Sequence, residues 1–256
     1  MIIKLLSYNI RFGGSGRESR LAEVIRTVSP DLVVFQEATD TRVIEGLAKA
    51  TDFPFWAAQR AHSIAYLSRV EISYHEWHYP AGAKHSFLEI VLAGTETRIF
   101  GLHLSSMFSK WSERRRGREI RALLKGIARH QQGFHVLVGD FNTLAPGEVL
   151  DVRRMPAWIR ALVWMSGRDI QRETIQVMLD ASYADGFRLL HPEMKGYSFP
   201  TWDPHLRLDY VFVPKPFADR LVACEVITTL AQVADASDHF PLLAQLEIQP
   251  RGEPIN

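Results

Sequence analysis

The apolar runs of strand length in this chain carry its conspicuous polar residues at their ends. Ile2 to Tyr8 runs into Asn9, and Leu32 to Phe35 runs into Gln36-Glu37. Arg98 to Leu104 carries His103 near its end, and Leu208 to Val213 carries Asp209 at its start. Phe134 to Val138 leads into Gly139-Asp140-Phe141-Asn142, and Asp238-His239 stands just before Leu242 to Ile248. Runs this short and this apolar read as buried strands. The Thr143-Leu144-Ala145-Pro146-Gly147 stretch cannot continue a strand, so the backbone turns directly after Asn142. The end of a buried strand is a rigid place from which to aim a polar group. Taken alone, Asp140 and Asn142 fit an Asx-type turn as well as a site. Seven strand-end placements of Asn, Asp, Glu and His describe one polar cluster at one rim of a sheet.

Ser63 to Leu67, Ser86 to Leu92 and Leu221 to Ile227 read as further strands. Leu21, Val24, Ile25 and Val28 have helical spacing, as do Val43, Ile44, Leu47 and Ala48. Trp111 to His130 reads as a helix with Ile120, Leu123, Leu124 and Ile127 on one face. Residues 148–196 are the least strand-like part, with helices expected near 155–166 and 169–181. With no repeat and no linker, the expectation is one α/β domain over residues 1–250, a helical insertion at about 148–196 and a tail at 251–256. The sheets would be mixed and covered by helices.

A hydrophobic share of 46% supports a substantial core. The net charge of +1 gives no global field to draw the chain onto nucleic acid. Arg outnumbers Lys by 23 to 7, and guanidinium suits bidentate phosphate contacts. A single Cys224 excludes an intrachain disulfide and fits a reducing compartment. No apolar run has the length of a signal core or a bilayer span, so a cytoplasmic protein without stable membrane insertion is expected.

Three acids gathered at one rim repel one another unless a cation compensates them. Oxygen donors of this kind suit Mg²⁺ or Mn²⁺. There is no Cys–His set for a structural zinc. A hard cation beside two histidines points to hydrolysis at phosphorus, with a His held by an Asp moving a proton.

Tyr8-Asn9-Ile10-Arg11, Leu32-Val33-Val34-Phe35-Gln36-Glu37, His103-Leu104, Gly139-Asp140-Phe141-Asn142, Arg207-Leu208-Asp209-Tyr210 and Ser237-Asp238-His239 occur in this order. Together they resemble the endonuclease/exonuclease/phosphatase superfamily, the DNase I-like fold, over about residues 2–248. The resemblance implies a four-layer α-β-β-α sandwich of two mixed sheets flanked by helices. It also implies metal-dependent cleavage of phosphoester bonds. Position by position, it makes Glu37 the main metal ligand, with Asn9 and Asp238 as auxiliary metal or water ligands. Asp140 and Asn142 position the attacking water and the scissile phosphate. His239, oriented by Asp209, is general base or phosphate hydrogen-bond donor, and His103 binds the non-bridging oxygen. Either Asp140 or His239 takes the water's proton.

Two departures stand out. The abasic-site branch usually has Asp where this chain has Arg11, and a tyrosine between positions matching Ser105 and Trp111, where this chain has none. Asn9-Ile10-Arg11 is instead similar to pancreatic-type deoxyribonucleases. Those have a Glu that orients the first His, and His62-Ser63 stands roughly there.

Arg11, Arg114, Trp202 and His205 are the candidate substrate contacts. Arg114 to Arg121 is either a phosphate clamp or a solvated helix start. Trp158, Leu162 and Met165, with Arg153, Arg154, Arg160 and Arg168 around them, form a helix that packs in the core, covers substrate, touches lipid or stacks on bases. The substrate is a phosphoester: nucleic acid in a nuclease, a lipid in a sphingomyelinase-like enzyme, or a small phosphorylated metabolite in a phosphomonoesterase. No obligate protein partner is evident. A catalytically inactive binding module would have lost residues among Glu37, Asp140, Asn142, Asp209, Asp238 and His239, and all are present.

Overall fold

The structure is a computed structural model that describes residues 1–251 apart from 82, 84, 107, 108, 150 and 166–171, with only the backbone of Leu162. In chain order its elements are β1 (Ile2–Asn9), α1 (Glu18–Val28), β2 (Leu32–Gln36), α2 (Thr41–Ala50), β3 (Phe55–Ala57), β4 (Ile64–Ser68), β5 (Ile72–His78), β6 (Phe87–Leu92), β7 (Arg98–His103), α3 (Lys110–Gly126), β8 (His135–Asp140), α4 (Ala157–Met165), α5 (Glu173–Asp180), β9 (Tyr183–Asp185), α6 (Gly186–Leu190), β10 (Asp209–Pro214), β11 (Leu221–Val226), α7 (Gln232–Ala236) and β12 (Leu242–Glu247).

Two six-stranded sheets form, in the orders β11-β12-β1-β2-β4-β3 and β5-β6-β7-β8-β10-β9. Each contains one parallel pair, β1 with β2 and β7 with β8. The helices α1 and α3 lie in those crossovers, which carries the chain over the outer face of its sheet. Side chains alternate between the two faces of a strand. Leu5, Val34, Val136 and Val138 enter the core between the sheets. Their neighbours Leu6, Val33 and Phe35 pack under α1, α2 and α7, and Leu137 packs under α3 and α5. Both faces are covered, which is why these strands are unbroken apolar runs. The result is the four-layer sandwich.

On β7, Gly101 packs tightly against the first sheet. A Cβ there would lie 2.6 Å from Val34 Cγ1 and 3.3 Å from Ile64 Cγ2. This contact brings the parallel pair of one sheet against the parallel pair of the other, so all four of their strand ends lie at one edge.

Three strands escape the sequence pattern. β5 is an exposed edge strand without an apolar run, and β3 and β9 are three residues each, too short to read as strands. The 148–196 stretch supplies β9 to the second sheet as well as α4, α5 and α6. Of the readings open for α4, packing of its Trp158 and Met165 in the core is overturned. Trp158 and Met165 point to solvent, and Met155, Ile159 and Val163 turn inward. The side chain of Leu162, residue Arg168 and the start of the 169–181 helix lie outside the described residues. Among the described residues no helix is long and apolar enough to cross a membrane.

Candidate active site

Strand register assembles the cluster. His103 pairs with Asp140 across β7 and β8, Asp140 pairs with Asp209 across β8 and β10, and Asn9 pairs with Gln36 across β1 and β2. Gly139 must be glycine. Its φ is 147°, and a Cβ would sit 1.9 Å from the Leu102 carbonyl oxygen. After Asp140 the chain turns through Asn142 at φ 53°, a left-handed conformation that Asn tolerates better than most residues. Asp140 serves both turn and site. Its Oδ1 accepts from the Asn142 backbone N–H at 2.8 Å. Its Oδ2 accepts from Asn9 Nδ2 at 3.0 Å and Asn142 Nδ2 at 3.1 Å.

Two imidazoles converge on that same Oδ2. His103 Nε2 lies 3.9 Å from it and His239 Nε2 lies 3.8 Å from it. The other ring nitrogen of His239, Nδ1, is 2.8 Å from Asp209 Oδ2. A carboxylate there requires Nδ1 to carry a proton, which aims Nε2 at Asp140. His239 is buried, and burial alone would lower its pKa. The charge of Asp209 and its hydrogen bond outweigh that, with help from Asp140 and Asp238, and push it up to about 10. Asp140 is pushed up to about 7, first by burial and then by the charge of Asp209, against the pull of His239. Asp140, Asp209 and His239 each offer an atom within 4.8 Å of the others, and Asp209 Oδ1 is buried with no hydrogen-bond partner.

The first sheet supplies the other half. Glu37 follows β2 at φ 56°, and its Oε2 accepts from the Phe12 N–H at 2.6 Å. Asn9 Nδ2 reaches Glu37 Oε1 at 3.4 Å as well as Asp140, so one amide bridges the two sheets. Asn9 Oδ1 accepts from the Arg11 N–H at 2.9 Å. Arg11 Nε stands 3.2 Å from Asp238 Oδ2 as an ion pair. Ser237 Oγ donates to the Asn9 carbonyl at 2.6 Å, which fixes the Asp238-His239 segment against β1.

The model of the endonuclease/exonuclease/phosphatase family matches residues 6–239 of this chain. The chain belongs to that family. An exodeoxyribonuclease III of Haemophilus influenzae is 24% identical over 275 aligned positions, covering 96% of this chain and 100% of the relative. The solved 3′ phosphatase from Neisseria bound to product DNA hairpin superposes with a TM-score of 0.71 at 19% identity, covering 96% of this chain and 99% of that one. An AP endonuclease from Archaeoglobus fulgidus superposes with a TM-score of 0.72 at 16% identity and the same coverage. Membership makes this chain a hydrolase of phosphoester bonds.

The family implies a metal, and the donor set fits a hard one. Glu37, Asn9 Oδ1 and Asp238 are all oxygen donors. Each Glu37 carboxylate oxygen accepts one hydrogen bond, so lone pairs remain on both. Asp140, Asp209 and His239 form a second group of donors, each offering one atom within 4.8 Å of the others.

Other candidates fall in different places. Trp202 is 67% exposed and meets the Phe199 ring edge-on at 6.3 Å. Phe199 in turn packs on His239 with centroids 4.8 Å apart, so the 197–206 loop does line the cluster, through a residue the sequence reading passed over. His205 is buried, bonds the Asp203 carbonyl at 2.6 Å, and lines a cavity of about 320 Å³ that no cluster residue lines. Arg114 is exposed on α3, and no hydrogen bond or ion pair joins it to the cluster among the described residues.

Within the Arg-rich helix it is Arg116 that is buried. It bonds Glu113 at 2.8 Å and the Ser105 carbonyl at 2.7 Å. Glu113 also accepts from Thr143 Oγ1 and the Thr174 N–H, both at 2.8 Å, and so braces the turn behind Asn142. His62 does not orient His103; it bonds Ser86 and Tyr79, each at 2.9 Å. His85 stacks on His103 instead, with centroids 5.4 Å apart and planes 3° from parallel.

Proposed function

We propose that this enzyme is a Mg²⁺- or Mn²⁺-dependent nuclease that hydrolyses nucleic-acid phosphoesters by in-line attack of water. The observation that carries the reading is the convergence of His103 and His239 on Asp140 Oδ2, with Asp209 behind His239. Asp140 near pKa 7 is poised to take a proton from water at neutral pH. His239 stays an imidazolium there and donates from Nε2 to a phosphate oxygen. His103 Nε2 faces the same space and offers a second hydrogen bond to the charge that develops. Asn9 and Asn142 keep Asp140 turned toward that space. Arg11 sits at the rim as a cation for an adjacent phosphate. A divalent ion held by Glu37, Asn9 and Asp238 would offset negative charge on the phosphate and leaving oxygen.

The activities of the relatives support nucleic acid over lipid or metabolite: an exodeoxyribonuclease III, a 3′ phosphatase with a DNA hairpin, and an AP endonuclease. The 3′ phosphatase keeps a phosphomonoester at a DNA end within the substrate class. The test assays purified protein on plasmid, single-stranded oligonucleotide, 3′-phosphate-ended duplex, sphingomyelin and bis-p-nitrophenyl phosphate with Mg²⁺, Mn²⁺ or EDTA. Cleavage of one or more DNA substrates with Mg²⁺ or Mn²⁺, and none in EDTA, is expected. Turnover of sphingomyelin alone would overturn the nuclease reading, and inertness toward every phosphoester would overturn the enzyme reading.

A further inference from the structure

At the end of the second sheet opposite the catalytic cluster lies a cavity of about 410 Å³. Its lining includes Arg98, Arg129, His130, Phe134, Arg220 and Arg251. Arg98 begins β7 and His103 ends it, so cavity and cluster are about 17 Å apart along one strand. The volume suits a small ligand.

The charges there do not balance. Arg98 pairs with Glu89, a buried carboxylate that His130 Nε2 also approaches at 3.9 Å. Arg251 pairs with Glu96 at 3.6 Å, with both side chains largely exposed. Arg129 and Arg220 have no carboxylate partner among the described residues. Arg129 Nε donates to His130 Nε2 at 2.9 Å. Arg220 donates to Gln249 Oε1 at 2.7 Å and lies over the rings of Phe134 and Phe217, 5.2 and 5.1 Å from their centroids. Two whole positive charges are left facing one cavity. The pKa of His130 is held below the ordinary value by burial first and then by Arg98, with Glu89 opposing and Arg129 adding a smaller push.

Arg129 and Arg220, held beside a cavity and without a carboxylate partner among the described residues, are complementary to an anion that accepts bidentate hydrogen bonds. The geometry points to a second, non-catalytic site here for a small phosphate-bearing anion of mononucleotide size or less. Arg220, stacked on Phe134 and Phe217, is held rigid, and Arg129 is the exposed arm that closes on the phosphate. The site uses none of the residues assigned to hydrolysis and stands whether or not the nuclease reading does.

Calorimetry in EDTA tests it, with pyrophosphate, dAMP and deoxyadenosine as probes. The wild-type chain, Arg129→Ala, Arg129→Glu and His103→Ala are compared. Arg129 is exposed and its one hydrogen bond is to a neighbouring ring, so its variants should unfold at the wild-type temperature and turn over substrate normally. The expected result is that pyrophosphate and dAMP bind the wild type and His103→Ala equally, with at least a tenfold loss in Arg129→Ala and no detectable binding to Arg129→Glu. Deoxyadenosine should not bind. The proposal is overturned if the wild type binds neither anion, if the Arg129 variants bind like wild type, if His103→Ala abolishes binding, or if deoxyadenosine binds as tightly as dAMP.

Discussion

Asp209→Asn separates charge from geometry at His239. The amide oxygen of Asn can still accept from Nδ1, so the ring keeps its place, but the negative charge that outweighs burial is gone. Asp140, relieved of its neighbour's repulsion, ionises at lower pH and returns part of the pull on the imidazole. With the Asp209 charge gone, burial is no longer outweighed, and the His239 ring loses its proton well below the wild-type value of about 10. At pH 8 the wild-type ring stays protonated while the variant ring gives up its proton as pH rises. A positioned proton donor is worth about 100-fold or more. The turnover ratio of wild type to variant should thus widen by at least about tenfold between pH 6 and pH 8. Single-turnover rates on one cleavable oligonucleotide at saturating Mg²⁺ measure it. A ratio constant across that range would show that Asp209 acts only by orienting the ring, and near-normal turnover at pH 8 would refute the role given to His239.

His239→Ala and Asp140→Asn should each lower turnover by about two orders of magnitude or more while the far-ultraviolet spectrum stays unchanged. Asn9→Ala withdraws one donor from both Glu37 and Asp140 and should weaken Mn²⁺ activation about 10- to 100-fold, read from rate against Mn²⁺ concentration. The raised pKa of His239 also has a stability sign: its contribution is fully present below about pH 6.5 and is lost as pH rises through about 10. Urea unfolding of the wild type without metal should accordingly show stability falling between pH 7 and pH 10 by more than in His239→Ala. Glu113→Ala removes the carboxylate partner of the buried Arg116 guanidinium and should cost about 3–5 kcal/mol in the same assay. Gly101→Ala overpacks the contact between the sheets and should cost about 1–3 kcal/mol.

The grouping of the candidate site residues was legible because they sit on strands buried on both faces. Such strands announce themselves as apolar runs, and Asn9, Glu37, His103, Asp140 and Asp209 stand where those runs begin or stop. The buried braces were not legible in the same way. Arg116 stands one turn before Ile120 on the inner face of α3, but an arginine there reads as solvated until Glu113 and the Ser105 carbonyl are found holding it. Arg207, by contrast, sits in a recognisable motif, yet its partners Glu148 and Asp185 are 59 and 22 residues away in sequence. For α4, the reading that placed Trp158 and Met165 in the core fails for a related reason. Both Trp158 with Met165 and Ile159 with Val163 have helical spacing, and what lies beneath the helix, not its period, selects the second pair. Edge strand β5 alternates polar and aromatic residues because little covers it, so it left no run to read.

The amide of Asn9 touches a carboxylate from each layer of the sandwich, and His239 and Asp209 likewise come from opposite layers. Neither sheet holds a working half of the chemistry. The cluster therefore acts as a gauge of how the layers are aligned. A slip of an ångström at the Gly101 seam leaves every strand paired and every helix seated, yet pulls these cross-layer bonds out of reach. Catalysis should be the first property to fail when the protein is perturbed, ahead of any loss of secondary structure.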